Sequence, residues 1–218
     1  MKKSILGISL ILITLNSFAQ SILLFTSHTT DRDSHIWGPA ASAPDLSLFG
    51  PGANDNPSGS TPYQASGMTL IGANGSGGPY GYATTFAQLL AAPGVDLPES
   101  SLEPMGPATT FHSGATAGQI VAIAVPLAGM PPDTSLITVE AVAWDNSSGL
   151  YPTWSEASVA WAHGLIAAGI SYEEIITLDA GSGTYVPETF NLYRIPEPST
   201  FALAGLAAAA LSFYRRRG

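Results

Sequence analysis

The chain contains no cysteine. That absence excludes disulfide frameworks, thiol nucleophiles, Cys-based zinc sites and a lipidated lipobox. Charge is also scarce, at 11% of the 218 residues against ~25% in a typical soluble protein. Cations are the rarest. The seven basic residues are Lys2, Lys3, Arg32, Arg194, Arg215, Arg216 and Arg217. With both ends set aside, only Arg32 and Arg194 oppose the acids. Such a surface repels phosphate backbones and anionic headgroups, so nucleic acid is not an expected partner.

The recognisable site signatures are missing as well. There is no Gly-x-Ser-x-Gly elbow, and the Ser-Gly pairs fall where turns are expected. Residues 72–81 are glycine-rich, but no basic residue follows to complete a phosphate cradle. His28, His35, His112 and His163 are scattered and stand at no metal-ligand spacing. Glu173-Glu174 and Glu99/Glu103 are the available carboxylate pairs. Adjacent acids on a strand point to opposite faces, so solvated surface charge is the better reading. Asn54-Asp55-Asn56 and Asp145-Asn146-Ser147-Ser148-Gly149 offer hard oxygen ligands suited to Ca²⁺, but Asx-rich turns explain both equally well. No catalytic residue, metal ligand set or cofactor is therefore assigned.

What the chain has in quantity is glycine (23) and proline (17). Short strands joined by many turns have this composition. Strands are expected over 22–26, 80–91, 109–112, 119–125, 136–144, 175–178 and 189–193. The strand at 136–144 is the clearest. It sets Leu136, Thr138, Glu140, Val142 and Trp144 on one side and Ile137, Val139, Ala141 and Ala143 on the other. Residues 28–60 read as long loops or a poorly ordered arm. One helix is expected over 153–168, with Thr153 as N-cap, Glu156 as the capping-box acid and Gly169 as terminator. Trp154 and Trp161, seven apart, share one face of that helix and read as core. No internal repeat is visible. The expected fold is mainly β, a single β-sandwich-like domain with one packed helix. Trp144, beside Asp145 and Asn146, is the candidate sugar contact among the four tryptophans.

The two ends carry targeting patterns. Met1-Lys2-Lys3 gives a positive start, residues 5–15 an apolar run, and Ser17-Phe18-Ala19 small residues before a cleavage point. These are the parts of a secretory signal peptide over 1–19, cut between Ala19 and Gln20 by signal peptidase. The acidic β-rich domain then occupies 20–194. Residues 195–218 form the last segment. Pro196-Glu197-Pro198 precedes Ser199-Thr200, an apolar stretch over 201–214, and Arg215-Arg216-Arg217. As a helix those 14 apolar residues would measure about 21 Å, against a hydrocarbon core of about 30 Å. Snorkelling ends would close the difference, and arginines would stay on the cytoplasmic side. The stretch is thus expected to be a transmembrane helix that anchors the chain transiently in the inner membrane.

This tail resembles the PEP-CTERM sorting signal. The resemblance implies processing by an exosortase, a membrane-embedded cysteine transpeptidase. It carries Pro196, Glu197 and Pro198 over as the recognition motif and Arg215, Arg216 and Arg217 as stop-transfer residues. Residues 82–93, Trp144-Asp145-Asn146 and Phe190-Asn191-Leu192 also resemble small PEP-CTERM proteins of verrucomicrobial type. The expected protein is exported, non-enzymatic and of structural or interaction type, delivered to the cell surface or an extracellular polysaccharide matrix. A carbohydrate-binding module is the alternative reading, and a secreted hydrolase the third.

Overall fold

The computed structural model describes residues 21–196 apart from 132, 180 and 181. Its ordered elements run β1 (Ile22–Phe25), β2 (Ile36–Trp37), β3 (Thr85–Pro93), β4 (Glu103–Thr109), β5 (Ile123–Pro126), β6 (Leu136–Asp145), α1 (Trp154–Ala162), β7 (Ala168–Ile170), β8 (Glu174–Thr177), β9 (Ser182–Tyr185) and β10 (Phe190–Asn191).

β6 is the organising strand. Its alternation puts apolar residues on both faces, and every residue from Ile137 to Asp145 is buried. It pairs antiparallel with β3 over nine residues, from Thr85↔Asp145 to Pro93↔Ile137, and with β7 and β8 along its other edge. β4 completes this five-stranded sheet beyond β3. Burying both faces calls for a layer on each side. The odd positions Ile137, Val139, Ala141 and Ala143 join Leu89 and Ala91 of β3 in one core, with Leu23 and Phe25 of β1, Val125 of β5 and Tyr185 of β9. The even positions Val142 and Trp144 join Leu90 and Ala92 in a second core with Trp154, Ala157, Ala160 and Trp161 of α1.

The expected single β-sandwich is corrected on this point. The domain is a mixed β-sheet structure with one helix. β1 runs antiparallel to β5 but parallel to β9, and β2 runs parallel to β10. Parallel pairs require long crossovers, and alternation along one segment carries no information about the direction of a partner more than a hundred residues away.

The helix is also shorter than expected. Thr153 caps it as anticipated: its hydroxyl accepts from Glu156 N at 3.3 Å, and the Glu156 carboxylate accepts from Thr153 N at 3.2 Å. It stops at Ala162 because Gly164 takes φ 71°. Gly164 N donates to Trp161 O and Leu165 N donates to Ala160 O, the paired bonds of a Schellman stop. The chain is then released to form β7. Gly169, expected to end the helix, lies in that strand instead. A Cβ there would run into Asn191 O, so the glycine admits β10 alongside.

The arm over 28–60 is ordered. It supplies β2 and, with Tyr63, Met68 and Leu70 just beyond it, a third small core in which Trp37 and Ala40 are buried and against which Leu46 and Leu48 pack.

The expected transmembrane helix is corrected too. Among the described residues no helix is long and apolar enough to cross a membrane. α1, with nine residues, measures about 13 Å, under half of a hydrocarbon core. The inner-membrane anchorage inferred from such a helix loses its support. The segment on which it was placed, 201–214, lies outside the described residues, as do Ala19, Gln20, Glu197, Pro198 and Arg215 to Arg217.

Candidate functional site

Trp144 does not meet a sugar. Its side chain is 0% exposed. Phe86 packs edge-on at 5.7 Å between centroids and Trp154 lies tilted at 5.7 Å, while the indole N–H donates to Tyr151 O at 2.8 Å. Asp145 Oδ1 accepts from Ser147 N at 2.9 Å and Asn146 Oδ1 from Tyr151 N at 2.8 Å. The cluster is an Asx turn that fixes the loop into α1. The register of β3 on β6 sets Phe86 against Trp144, and neither this nor the overlying helix is visible in the local sequence.

Asp55 is likewise taken up by the fold. It is buried, and its Oδ1 lies 2.6 Å from His35 Nδ1. Its Oδ2 accepts from Thr189 Oγ1 at 2.7 Å and from Gly52 N at 2.5 Å. Thr189 Oγ1 in turn accepts from His35 N at 3.0 Å, and Thr189 O accepts from the Tyr63 hydroxyl at 2.9 Å. One carboxylate thus ties the arm, the entry to β2 and the entry to β10 together. Burial, then the Asp55 charge, pushes the Tyr63 phenol well above its ordinary range.

The remaining candidates stay apart. His28 lies 3.4 Å from Asp33 on the surface, and His112 and His163 are exposed. Glu174 forms a two-pronged bridge with Arg32 at 3.0 and 3.3 Å, whereas Glu99, Glu103 and Glu173 are exposed. Among the described residues no group of three or more His, Asp or Glu side chains is placed to hold a metal ion.

Two features escaped the sequence reading. Glu140 sits in the middle of β6 and is 4% exposed, with Oε2 lacking any hydrogen-bond partner among the described residues. Burial, reinforced by Glu99 and Glu173, pushes its pKa up to about 8. The alternation placed it on the face with Val142 and Trp144, which was the available signal. The second feature is an open pocket of about 250 Å³ between the arm and residues 61–65, floored by the buried Trp37 and Tyr63 and rimmed by Asn54, Ser60, Thr61 and Gln64. The two rings stack nearly parallel, 5.3 Å apart and 3° from coplanar. Its residues come from three stretches, around 37, 52–54 and 60–65, that no local signal brings together.

The last described residues are held firmly. Tyr193 bridges Ala168 in both directions, at 3.1 and 2.8 Å, and its carbonyl accepts from the Trp161 indole at 2.9 Å. Arg194 N donates to Pro44 O at 2.7 Å, and Ile195 packs on the core around α1. Immediately there, over residues 194–217, the chain matches the PEP-CTERM protein-sorting motif. It is therefore an exported protein that bears a sorting signal, consistent with processing by signal peptidase and exosortase. No curated protein and no solved structure matches the chain, so the verrucomicrobial resemblance has no relative behind it.

Proposed function

We propose that this is a non-enzymatic surface or extracellular-matrix protein, handed to its destination by an exosortase that reads Pro196, Glu197 and Pro198. The observation that carries the reading is the motif match beginning at Arg194. It overlaps the last packed residues of the domain, Arg194 and Ile195. Proline lacks a backbone N–H and disfavours helix in the residue before it, which suits a recognition motif that a processing enzyme must grip. Arg215, Arg216 and Arg217 form the distal part of the same signal. The signal peptide over 1–19, cut between Ala19 and Gln20, brings the chain to the export machinery. The acidic domain over 20–194 is the cargo, with a structural or interaction role in an extracellular polysaccharide layer.

The test is expression in a host that contains an exosortase, with mass measurement of the mature C-terminus. The wild-type product is expected to lack Arg217. Replacement of Pro196, Glu197 and Pro198 together by Ala is expected to leave an uncut chain. Normal processing of that variant would overturn the assignment.

A further inference from the structure

We propose that two copies of this chain pair through the outer side of α1, antiparallel about a two-fold axis that passes between Val159 and Ala160. This goes beyond the sorting role and does not depend on it.

Among the described residues the three most exposed large apolar side chains are Leu150 at 69%, Val159 at 60% and Leu165 at 58%. They fall in one place. With Glu156, Ala160 and His163 they line an open groove of about 420 Å³ along α1. Val159 is central, Leu150 precedes the helix and Leu165 follows it. Single exposed apolar residues need no explanation, but a contiguous group with polar neighbours marks a contact surface. The helix does not need this side for its own attachment. Trp154, Ala157 and Trp161 on the inner side already hold it to the sheet.

Charge identifies the occupant. The cations of the described domain are Arg32 and Arg194, outnumbered by acids, so two copies repel unless they meet where acids are few. The groove holds one acid, Glu156, and His163 stands seven residues further on. Two helical turns put both on one side of α1, about 10 Å apart. An axis midway between them sets Glu156 of each copy against His163 of the other. Glu156 Oε2 is taken by the Thr153 cap, which leaves Oε1 to accept. An imidazole N–H donates to a carboxylate whether or not the ring is charged. The same axis lays Val159 against its symmetry mate and brings Leu165 of one copy toward the Leu150 end of the other. One patch thus supplies both halves of the contact. The chain's own apolar stretch over 201–214 would fill the groove less well, because it has no charged residue to answer Glu156 or His163.

The experiment is disulfide cross-linking of the full chain in the exporting host. The chain has no cysteine, so one introduced thiol reports its own neighbour. Val159→Cys lies beside the axis, and helices packed ~8–10 Å apart bring facing Cα atoms within reach of a disulfide. Ser58→Cys, exposed in the arm, is the control. After mild oxidation Val159→Cys is expected to give a dimer of twice the chain mass, and Ser58→Cys to stay monomeric. Leu150→Asp and His163→Glu, both at exposed positions, are then added singly to Val159→Cys. Each should cut the dimer fraction about tenfold, since symmetry makes every change count twice. No dimer at Val159→Cys, equal dimer at both thiols, or a cross-link to a different protein would overturn the proposal. So would a dimer yield that both added substitutions leave unchanged. Processed and unprocessed chains differ in mass and either can carry the cross-link, so failure of the sorting assay leaves this one readable.

Discussion

At Glu140 a single carboxyl couples the fold to pH. Its ordinary value is 4.5, and burial together with Glu99 and Glu173 raises it to about 8. Between these values the native state holds a proton that the unfolded chain has released. The contribution to stability is complete below pH 4.5, declines as pH rises, and is gone once pH passes 8. The slope it adds is at most ~1.4 kcal/mol per pH unit. Glu140→Gln should remove that slope, so that urea midpoints at pH 5 and pH 8.5 converge relative to wild type and the variant is the more stable at the higher pH. Parallel pH profiles for the two proteins would show that Glu140 is not held neutral. Asp55 gives the opposite case, a buried acid with every contact satisfied. Asp55→Ala would strand the His35 ring, the Thr189 hydroxyl and the Gly52 N–H. A loss of ~3 kcal/mol is expected, measurable as a lower thermal midpoint. Local sequence presented Asp55 as a turn residue or calcium ligand. Its side-chain partners stand 20 and 134 residues away, a separation at which spacing says nothing. Trp144 misled for a related reason: a strand end beside an Asx turn reads as exposed, and only the register with Phe86 and the overlying α1 reveals the burial.

Among the elements, those with strong local signals were legible. β6 and the N-terminus of α1 match the alternation and capping box read from 136–144 and from Thr153 and Glu156. Of the strands that escaped notice, β4 has seven residues but is broken by Pro104, Gly106 and Pro107 and shows no apolar alternation, while β2, β7 and β9 have two, three and four residues. The last three are too short for periodicity to register, and all four exist because a neighbouring strand pairs with them. A glycine does stop the helix, but it is Gly164 and not Gly169. Gly164 and Gly169 are both plausible terminators in the sequence; in the fold Gly164 takes the positive φ and Gly169 the close approach of Asn191. The two positions should therefore respond differently to alanine. At Gly164 the positive φ penalises any Cβ by ~1–2 kcal/mol. At Gly169 the Cβ meets backbone of β10, which cannot yield without breaking the β2–β10 pairing, so the larger loss of stability is expected there. Thermal denaturation of the two variants gives the order, and a milder effect at Gly169 would contradict the close approach of the strands. Thr153→Ala should cost ~1 kcal/mol through the lost cap.

For the whole molecule, the charge distribution and the point where the domain ends decide how it behaves. Within the described residues the cations are Arg32, already paired with Glu174, and Arg194. Duplex DNA should not be retained at ~0.15 M salt, because too few cations are present to release counterions from the phosphates. The end of the domain is a sharper matter. The sorting-motif match opens at Arg194, yet Tyr193, Arg194 and Ile195 belong structurally to the domain. Four hydrogen bonds depend on this stretch: two between Tyr193 and Ala168, one from the Trp161 indole and one from Arg194 N to Pro44. Each contributes about 1 kcal/mol net, and the Tyr193 ring adds its edge-on contact with Trp161 at 5.1 Å. An enzyme that cut before Tyr193 would release a weakened product, whereas a cut beyond Ile195 would spare every one of these contacts. Two shortened mature chains test this. One that ends at Pro196 should keep the thermal midpoint of the domain in the full-length protein. One that ends at Leu192 should melt about 10 °C lower, given ~2–4 °C per kcal/mol at this size. If the two melt together, the closing residues contribute nothing to the fold, and the physical argument for placing the cleavage point after Ile195 fails.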